Sequence, residues 1–280
     1  MDLIAKDPEN YEELKVAIKN FVKFNTSHYS DNFLKRRIEV RLRYNNLESY
    51  KDYSVKIKKD IEEQKKLKKE LTIHTTNFYR DVSFYNAFRN EVIPKVKEFK
   101  KDTKIIKVWS AGSSTGEEAL TIAICFLEEL GEDLGGYHVS IIGTDFDAPT
   151  AQKAREAKYE IGQFHEMPKE LVDKYFEINE IDDEKFYSPK DFVKKLTIFT
   201  VGDILSPMKP QNNDIIFCRN TVIYFDAPTK TKLYEDIFNI LPENGFFIMG
   251  KTETLLGPSR EKFNTFNMDE RIYLKEKKDD

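Results

Sequence analysis

Lys107-Val108-Trp109-Ser110-Ala111-Gly112-Ser113-Ser114-Thr115-Gly116-Glu117-Glu118 is the stretch from which the fold is read. Ile105, Ile106, Val108 and Trp109 make an apolar strand that runs into a loop of small residues. That loop opens an apolar helix, Ala119 to Leu130. Strand, Gly-rich turn and helix form the first half of a nucleotide-cofactor site, because small residues let backbone N–H groups approach the ligand. A phosphate loop carries Gly, Lys or Ser at the helix start, where the dipole favours anions. Here two carboxylates stand instead, so a pyrophosphate meets like charge. The loop suits a cofactor presenting hydroxyls and a cation. The plain alternative is an ordinary βα turn with Glu117 and Glu118 complementing the helix dipole.

The next strand favours the cofactor. Val139 to Ile142 is an apolar run, followed by Gly143-Thr144-Asp145-Phe146-Asp147 and a helical stretch from Ala148. An acidic residue at the carboxyl end of the second strand is where nucleoside-binding sheets bond ribose hydroxyls. Either acid also suits a helix N-cap; Asp147 fits the cap and Asp145 the ribose. Further on, Asp214 to Cys218 reads as a buried strand ending in Arg219-Asn220, followed by Thr221 to Asp226 and a helix from about Ala227 to Leu241. The carboxyl end of a central parallel strand is where such sheets place ligand and catalytic groups. Arg219, Asn220 and Tyr224 fall near it; the alternatives are a structural ion pair for Arg219 and a core ring for Tyr224. Pro242-Glu243-Asn244-Gly245 is a turn before a strand at Phe246 to Met249, and Arg271 to Lys275 reads as a last strand. Residues 160–195 interrupt the α/β rhythm and predict a small inserted subdomain.

Composition bounds the function. An apolar content of 40% with 34% charged residues describes a soluble protein, and no 18-residue apolar run exists to span a membrane. The expected location is the cytoplasm: the first residues lack the charge and length of a signal peptide, and Cys125 and Cys218 sit isolated in apolar stretches, as in a reducing compartment. With four scattered His residues, no metal site is expected. Charge is unevenly shared. Residues 1–104 hold 24 Lys and Arg against 17 Asp and Glu, a surplus of +7, leaving −11 for the rest of a chain whose net charge is −4.

The N-terminal part reads as all helical. Tyr11 to Phe24 carries Leu14, Ile18, Phe21 and Val22 at helical spacing, and Ser30 or Asp31 caps a second helix, Asn32 to Tyr44. A third helix is expected near Leu47 to Lys56. A fourth, Ile57 to Leu71, is rich in mixed charge and expected to be solvated or partner-facing. A last one spans Val82 to Val92, and the junction with the α/β part is expected near Pro94 to Thr103. On the second helix Arg36 and Arg43 oppose the apolar stripe, with Arg37 and Arg41 at its margins. Such arginines either keep a surface soluble or dock an acidic partner. The overall acidic balance and the lack of interleaved exposed aromatics disfavour nucleic acid.

Trp109 to Glu118, Gly143 to Asp147, Phe217 to Phe225, Gly250-Lys251-Thr252-Glu253 and Thr76-Asn77-Phe78-Tyr79-Arg80-Asp81 together resemble the CheR-type chemotaxis receptor glutamate methyltransferases, in the family's order and over most of the chain. The resemblance implies an all-α N-terminal domain (1–93) preceding an α/β, Rossmann-like S-adenosylmethionine-dependent methyltransferase domain (94–280) with a small β insertion (160–195). It implies S-adenosyl-L-methionine as cofactor and S-adenosyl-L-homocysteine as product. By position, His74, Thr76, Arg80, Glu117, Asp145, Asp203, Ile204, Arg219 and Asn220 match cofactor-binding residues, and Arg80 and Tyr224 match the residues given roles in catalysis. His74 and Asp203 depart from the family pattern, in which Asn occurs at both positions.

The implied substrate is a glutamate on the cytoplasmic domain of a methyl-accepting chemotaxis receptor, with Arg36, Arg37, Arg41 and Arg43 docking on its acidic helices. No nucleic acid and no membrane insertion are expected, and the chain is expected to be a monomer. A nicotinamide dehydrogenase is disfavoured, because this loop has Gly112 and Gly116 followed by Glu rather than Gly-x-Gly-x-x-Gly. A binding-only relative is disfavoured by the intact Arg80, Asp145, Arg219-Asn220 and Tyr224.

Overall fold

The computed structural model describes residues 8–73, 75–181 and 184–276. Two compact units emerge from the packing. One comprises the chain up to Ile73 together with Tyr224–Lys230; the other comprises His74–Ile223 and the residues from Thr231 onward.

The first unit is helical. Helix α1 (Pro8–Ala17) passes into a π-helical turn, Ile18–Val22, and is followed by α2 (Asp31–Tyr44), α3 (Tyr50–Lys59) and α4 (Ile61–Leu71). Leu14, Ile18, Leu34, Ile38, Leu42, Tyr53, Ile57 and Leu67 are fully buried or nearly so and build its core. The Ser30 hydroxyl accepts from Phe33 N–H and caps α2. The expected boundary between the third and fourth helices moves to Asp60. Its carboxylate accepts the Glu63 N–H at 3.0 Å, which starts a new helix where the apolar periodicity alone continues. Helix α4 is not simply solvated: Leu67 and Leu71 are buried, and Glu63 and Glu70 are bonded to arginines of α2.

The second unit begins earlier than the expected junction near 94–103. Helix α5 (Val82–Ala87) continues through a π-helical turn, Phe88–Val92, into α6 (Ile93–Phe99). Phe78, Phe84 and Phe88 are completely buried in the core of the α/β unit. Burying three Phe rings there outweighs the signal of Pro94, which costs little at the N1 or N2 position of a helix, where no N–H partner is lost.

A seven-stranded sheet organises this unit, with strands β1 (Ile105–Ala111), β2 (His138–Asp145), β5 (Thr197–Val201), β6 (Ile215–Cys218), β7 (Gly245–Met249), β8 (Asn264–Asn267) and β9 (Ile272–Lys275) in the order β5-β2-β1-β6-β7-β9-β8. The first five run parallel; β9 pairs antiparallel with β7, and β8 with β9. This is the doubly wound plan, with an antiparallel strand inserted before the edge. Strands β6 and β7 are buried at every residue, as central parallel strands covered on both faces must be. Helix α7 (Glu117–Leu130) follows β1 and α8 (Ala148–Glu156) follows β2, the latter capped by Asp147 as expected. Between β2 and β5 lies the insertion: helix α9 (Lys169–Tyr175) and a separate antiparallel pair, β3 (Phe176–Ile181) and β4 (Glu184–Pro189).

Candidate active site

In a doubly wound sheet the crevice opens at the carboxyl ends of the strands where the chain order reverses, here between β1 and β6. The loop after β1 and the turn after β6 meet that requirement. Gly112 (φ +81°) and Gly116 (φ +98°) adopt conformations that L side chains rarely take, and a Cβ on Gly112 would lie 2.5 Å from the Thr221 hydroxyl oxygen. Gly112 and Ser113 both donate to the Thr144 carbonyl, at 2.9 Å each, tying the loop to the end of β2. The Asp145 carboxylate accepts Ser114 N–H at 3.0 Å and Asp147 N–H at 2.9 Å, which fixes its aim at the same rim. The hydroxyls of Ser113 and Ser114 are buried there without a protein partner.

Glu117 is fully buried at the start of α7. Thr115 Oγ1 donates to it at 2.7–2.9 Å, and the Gln163 side-chain amide donates to its Oε1. Burial pushes its pKa above the ordinary carboxylate value, against the pull of the Thr115, backbone and Gln163 hydrogen bonds. Glu118 is also raised by burial, opposed first by the positive charge of Arg219 and then by the Ser110 hydroxyl bonded at 2.7 Å.

Arg219 ends β6 beneath this loop, 5% exposed. Its Nη2 donates to Asp81 Oδ2 at 2.7 Å and to the Arg80 carbonyl at 3.3 Å, its Nη1 lies 3.6 Å from Glu118, and its guanidinium covers the Phe84 ring at 4.1 Å. Of the two readings open for Arg219, the structural ion pair is the one its contacts display. What Arg219 holds is the segment carrying Arg80. Tyr79 (φ +56°) and Asp81 (φ +67°), the residues flanking Arg80, are both left-handed, backbone strain of the kind that is retained where a functional side chain must be aimed. The Arg80 guanidinium donates to the Thr75 carbonyl at 2.9 Å, and its charge helps to hold down the pKa of Glu118.

Other expected residues fall as follows. Thr76 lies four residues before Arg80 in the same loop and is half-buried. Asn220 is left-handed (φ +56°), and its N–H donates to Glu253 at 3.0 Å. Asp203 is exposed and accepts from Leu205 N–H in its own turn, while Ile204 is buried. His74 lies outside the described residues. In the helical unit, Tyr224 packs its ring on Phe33 at 4.9 Å, and its carbonyl accepts Ser30 N–H. Arg36 and Arg43 are exposed on α2. Arg37 bonds Glu70 at 2.9 Å, and Arg41 forms a two-pronged pair with Glu63 at 3.0 and 2.7 Å, so these two serve the packing of α2 on α4.

Several organising residues carried no individual signal in the sequence. Glu253 accepts three backbone N–H groups, from Gly250, Asn220 and Val222, and so shapes the turn after β6. Glu166 accepts Asn77 Nδ2 at 3.0 Å and Asp81 N–H at 2.9 Å. Glu253 closes the Gly250-Lys251-Thr252-Glu253 motif and Glu166 belongs to none, and in both cases only the fold reveals the distant partners.

With this geometry in place, comparison with known proteins is decisive. Residues 74–272 match the family described as CheR methyltransferase, SAM binding domain, and residues 9–72 match CheR methyltransferase, all-alpha domain. The chain belongs to the CheR methyltransferase family. The division of the CheR matches between residues 72 and 74 coincides with the division between the two packed units. Among its relatives is the "Chemotaxis protein methyltransferase" of Borreliella burgdorferi, 29% identical over 91% of this chain and 90% of the relative. "Chemotaxis protein methyltransferase 2" of Pseudomonas aeruginosa is 25% identical over 90% and 88%. The Listeria monocytogenes "Chemotaxis protein methyltransferase" is 25% identical over 90% and 92%. The protein is thus an S-adenosylmethionine-dependent methyltransferase. Its site fits that cofactor: two unpartnered buried hydroxyls and the carboxylates of Glu117 and Asp145 offer acceptors for ribose hydroxyls and for a cation.

Proposed function

We propose that this chain transfers the methyl group of S-adenosyl-L-methionine to glutamate side-chain carboxylates of chemotaxis receptors, leaving glutamate methyl esters and S-adenosyl-L-homocysteine. The observation that carries the reading is Glu117: a fully buried carboxylate that accepts from the neutral side chains of Thr115 and Gln163, at the crevice of a CheR-family fold. Burying an ionised carboxylate beside neutral donors alone is costly, and a cationic ligand relieves that cost.

When bound, the cofactor supplies a methyl group on a sulfonium centre. Glu117 faces its cationic part and Asp145 its ribose hydroxyls, while Thr76, Asn220, Asp203 and Ile204 complete the proposed binding set. Arg219 belongs to that set through Arg80, whose carbonyl it holds. The acceptor glutamate is ionised near neutral pH, with an unperturbed pKa of about 4.3, so the reaction needs no general base. The protein's task is to orient and desolvate, and orientation alone contributes about 7–11 kcal/mol. Arg80 presents a planar fork suited to a carboxylate, and Tyr224 presents a hydroxyl that orients the attacking group. Arg36 and Arg43 are the exposed cations of α2 proposed to meet the acidic receptor helices; Arg37 and Arg41 are committed elsewhere. We place the reaction in the cytoplasm, on the receptor's cytoplasmic domain, with the chain acting as a monomer. Among the described residues no helix is long and apolar enough to cross a membrane.

The test is transfer of labelled methyl from S-adenosylmethionine to a purified receptor cytoplasmic fragment, followed by mild alkaline release of methanol. Alkali-labile counts that vanish when the acceptor glutamates are changed to alanine support the reading. Alkali-stable counts overturn the carboxylate substrate. Receptor methylation should also fall with added salt, because charges on an open surface are screened within about 8 Å at physiological ionic strength.

A further inference from the structure

The insertion is joined to the cofactor crevice through its first turn, Ile161–Phe164, which no motif in the sequence singled out. Gln163 is the centre of that junction. Its Oε1 accepts Glu160 N–H at 2.8 Å, so the opposite end of the amide, Nε2, is the end that faces Glu117. The neighbouring hydrogen bond therefore assigns the amide's orientation. The Gln163 carbonyl accepts Phe78 N–H at 2.9 Å, two residues before Arg80. Tyr159, just before that turn, donates its hydroxyl to the Thr115 carbonyl at 2.9 Å and exchanges two backbone hydrogen bonds with Tyr187 of β4. The Phe78 ring stacks on Phe164 at 4.6 Å and meets Tyr159 and Phe176 edge-on at 4.8 and 5.0 Å.

We propose that Gln163 is a positioning residue of the cofactor site: it acts through Glu117, holding that carboxylate oriented for the cationic end of S-adenosylmethionine before the cofactor arrives. The inference rests on the reading of Glu117 given above. The physical argument is one of supply. Thr115 has a single hydroxyl proton, shared between the two oxygens of Glu117. Without Gln163, the single Thr115 proton is left to serve both oxygens, and a fully buried carboxylate with fewer donors turns away or takes up a proton. Either response removes the charge that a cationic ligand needs. A neutral amide is also the right donor for the task. A Lys or Arg at 163 would neutralise Glu117 permanently and compete with the cofactor for it, whereas an amide orients the carboxylate without cancelling its charge.

The experiment uses Gln163→Met, which keeps the side-chain length and removes both polar ends, and Gln163→Ala, which cannot clash. Binding of S-adenosylmethionine and of 5′-methylthioadenosine, which carries neither ammonium nor sulfonium, is measured by calorimetry or competition on the full chain. The expected result is a loss of about tenfold or more for S-adenosylmethionine in both variants, the scale of one hydrogen bond to a charged group. The fragment should bind within about twofold of its wild-type affinity, because the altered hydrogen bond serves only the cationic end. In methyl transfer, KM for the cofactor rises while kcat at saturation is retained. Equal loss for both ligands would mean that Gln163 merely supports the local fold, and wild-type affinity for both would mean that it does not act on Glu117; either overturns the proposal. Failure of the wild-type chain to bind S-adenosylmethionine would instead overturn the reading of the site itself.

Discussion

Replacing Arg41 by Met separates a folding role from a docking role on the basic helix. Arg41 Nε and Nη2 donate to the two oxygens of Glu63 at 3.0 and 2.7 Å, and the Tyr53 hydroxyl donates to the same carboxylate at 2.8 Å. The two charged side chains are 13% and 3% exposed, so Arg41→Met strands a carboxylate in the interior of the helical unit. Removing one partner of a buried pair costs about 3–5 kcal/mol, mostly because the other charge is left uncompensated. Tyr53 keeps its bond and some water reaches the vacated site, which places the expected loss near the lower end, about 3 kcal/mol. At about 2–4 °C per kcal/mol for a chain of this size, Tm should fall by roughly 6–12 °C.

Adding Glu63→Gln to Arg41→Met removes the stranded charge and still accepts from Tyr53, so the double variant should be more stable than Arg41→Met alone. The pH dependence follows from Glu63. Burial pushes its pKa up, but the Arg41 and Tyr53 hydrogen bonds outweigh burial and leave it below the ordinary value of 4.5. A carboxylate lowered in the folded state adds stability above its unfolded pKa, and that stability is lost as pH falls through the folded value. In Arg41→Met burial wins and raises the Glu63 pKa, so the gap should be full where both chains keep Glu63 ionised and narrow as pH falls from the variant's raised value through the wild type's lowered one. Thermal or denaturant unfolding across this range measures it. An Arg41→Met chain within about 1 kcal/mol of wild type, or a double variant less stable than the single one, would refute the reasoning. Reversing the charge of Arg36 and Arg43 is the complement: those residues are exposed, so receptor methylation should drop while Tm holds.

Glu117→Gln should raise Tm at pH 7 and weaken S-adenosylmethionine binding at least about tenfold. The folded-state pKa of Glu117 is raised by burial, so keeping it ionised costs stability increasingly as pH rises above the unfolded value, and the variant's advantage should vanish toward pH 4–5, about where the unfolded carboxylate titrates; paired melting curves and calorimetry check both halves. Arg219→Lys cannot reproduce the fork that reaches Asp81, Glu118 and the Arg80 carbonyl together, and should lower both stability and turnover; unchanged turnover would detach Arg219 from the aim of Arg80. Cys125 is buried, and its pKa is pushed up to about 12, so it should resist alkylation until the chain unfolds; rapid native labelling would contradict the packing around Tyr79.

What the sequence made legible follows from which interactions are local. The strand–loop–helix at 105–130 was readable because its apolar runs and its small-residue loop encode their own geometry, and the acid after β2 was readable because strand ends place such acids predictably. Asp147 as a cap and Ser30 as a cap are local in the same sense: each bonds an N–H three residues ahead. Strands β5 and β8 escaped notice because both lie at sheet edges, where alternation is weak; Thr197 to Val201 and Asn264 to Asn267 are half-exposed or exposed throughout. The domain junction escaped for a different reason. Val82 to Val92 reads as one more helix of the N-terminal part, yet its aromatic rings are spent on the α/β core, a choice that depends on partners far away in sequence.

The site shows the same division, and it explains why part of it was read through a family and part only through space. Glu117, Asp145 and Arg80 belong to contiguous motifs, so they are found together with their surroundings. Gln163 and Glu166 act on backbone and side chains 46 to 89 positions away, as the Gln163–Glu117 and Glu166–Asn77 bonds illustrate. No spacing rule reaches that far. Each is a polar group whose value lies in satisfying an otherwise unpaired atom at the crevice, and such a requirement becomes visible only once that atom is buried. The residues proposed to meet the cofactor are therefore the ones that stand in contiguous motifs, whereas the residues that hold them in place are free to come from any element that packs nearby. In this chain the element is the insertion. That is why altering its first turn should change cofactor affinity, although nothing in its sequence resembles a cofactor motif.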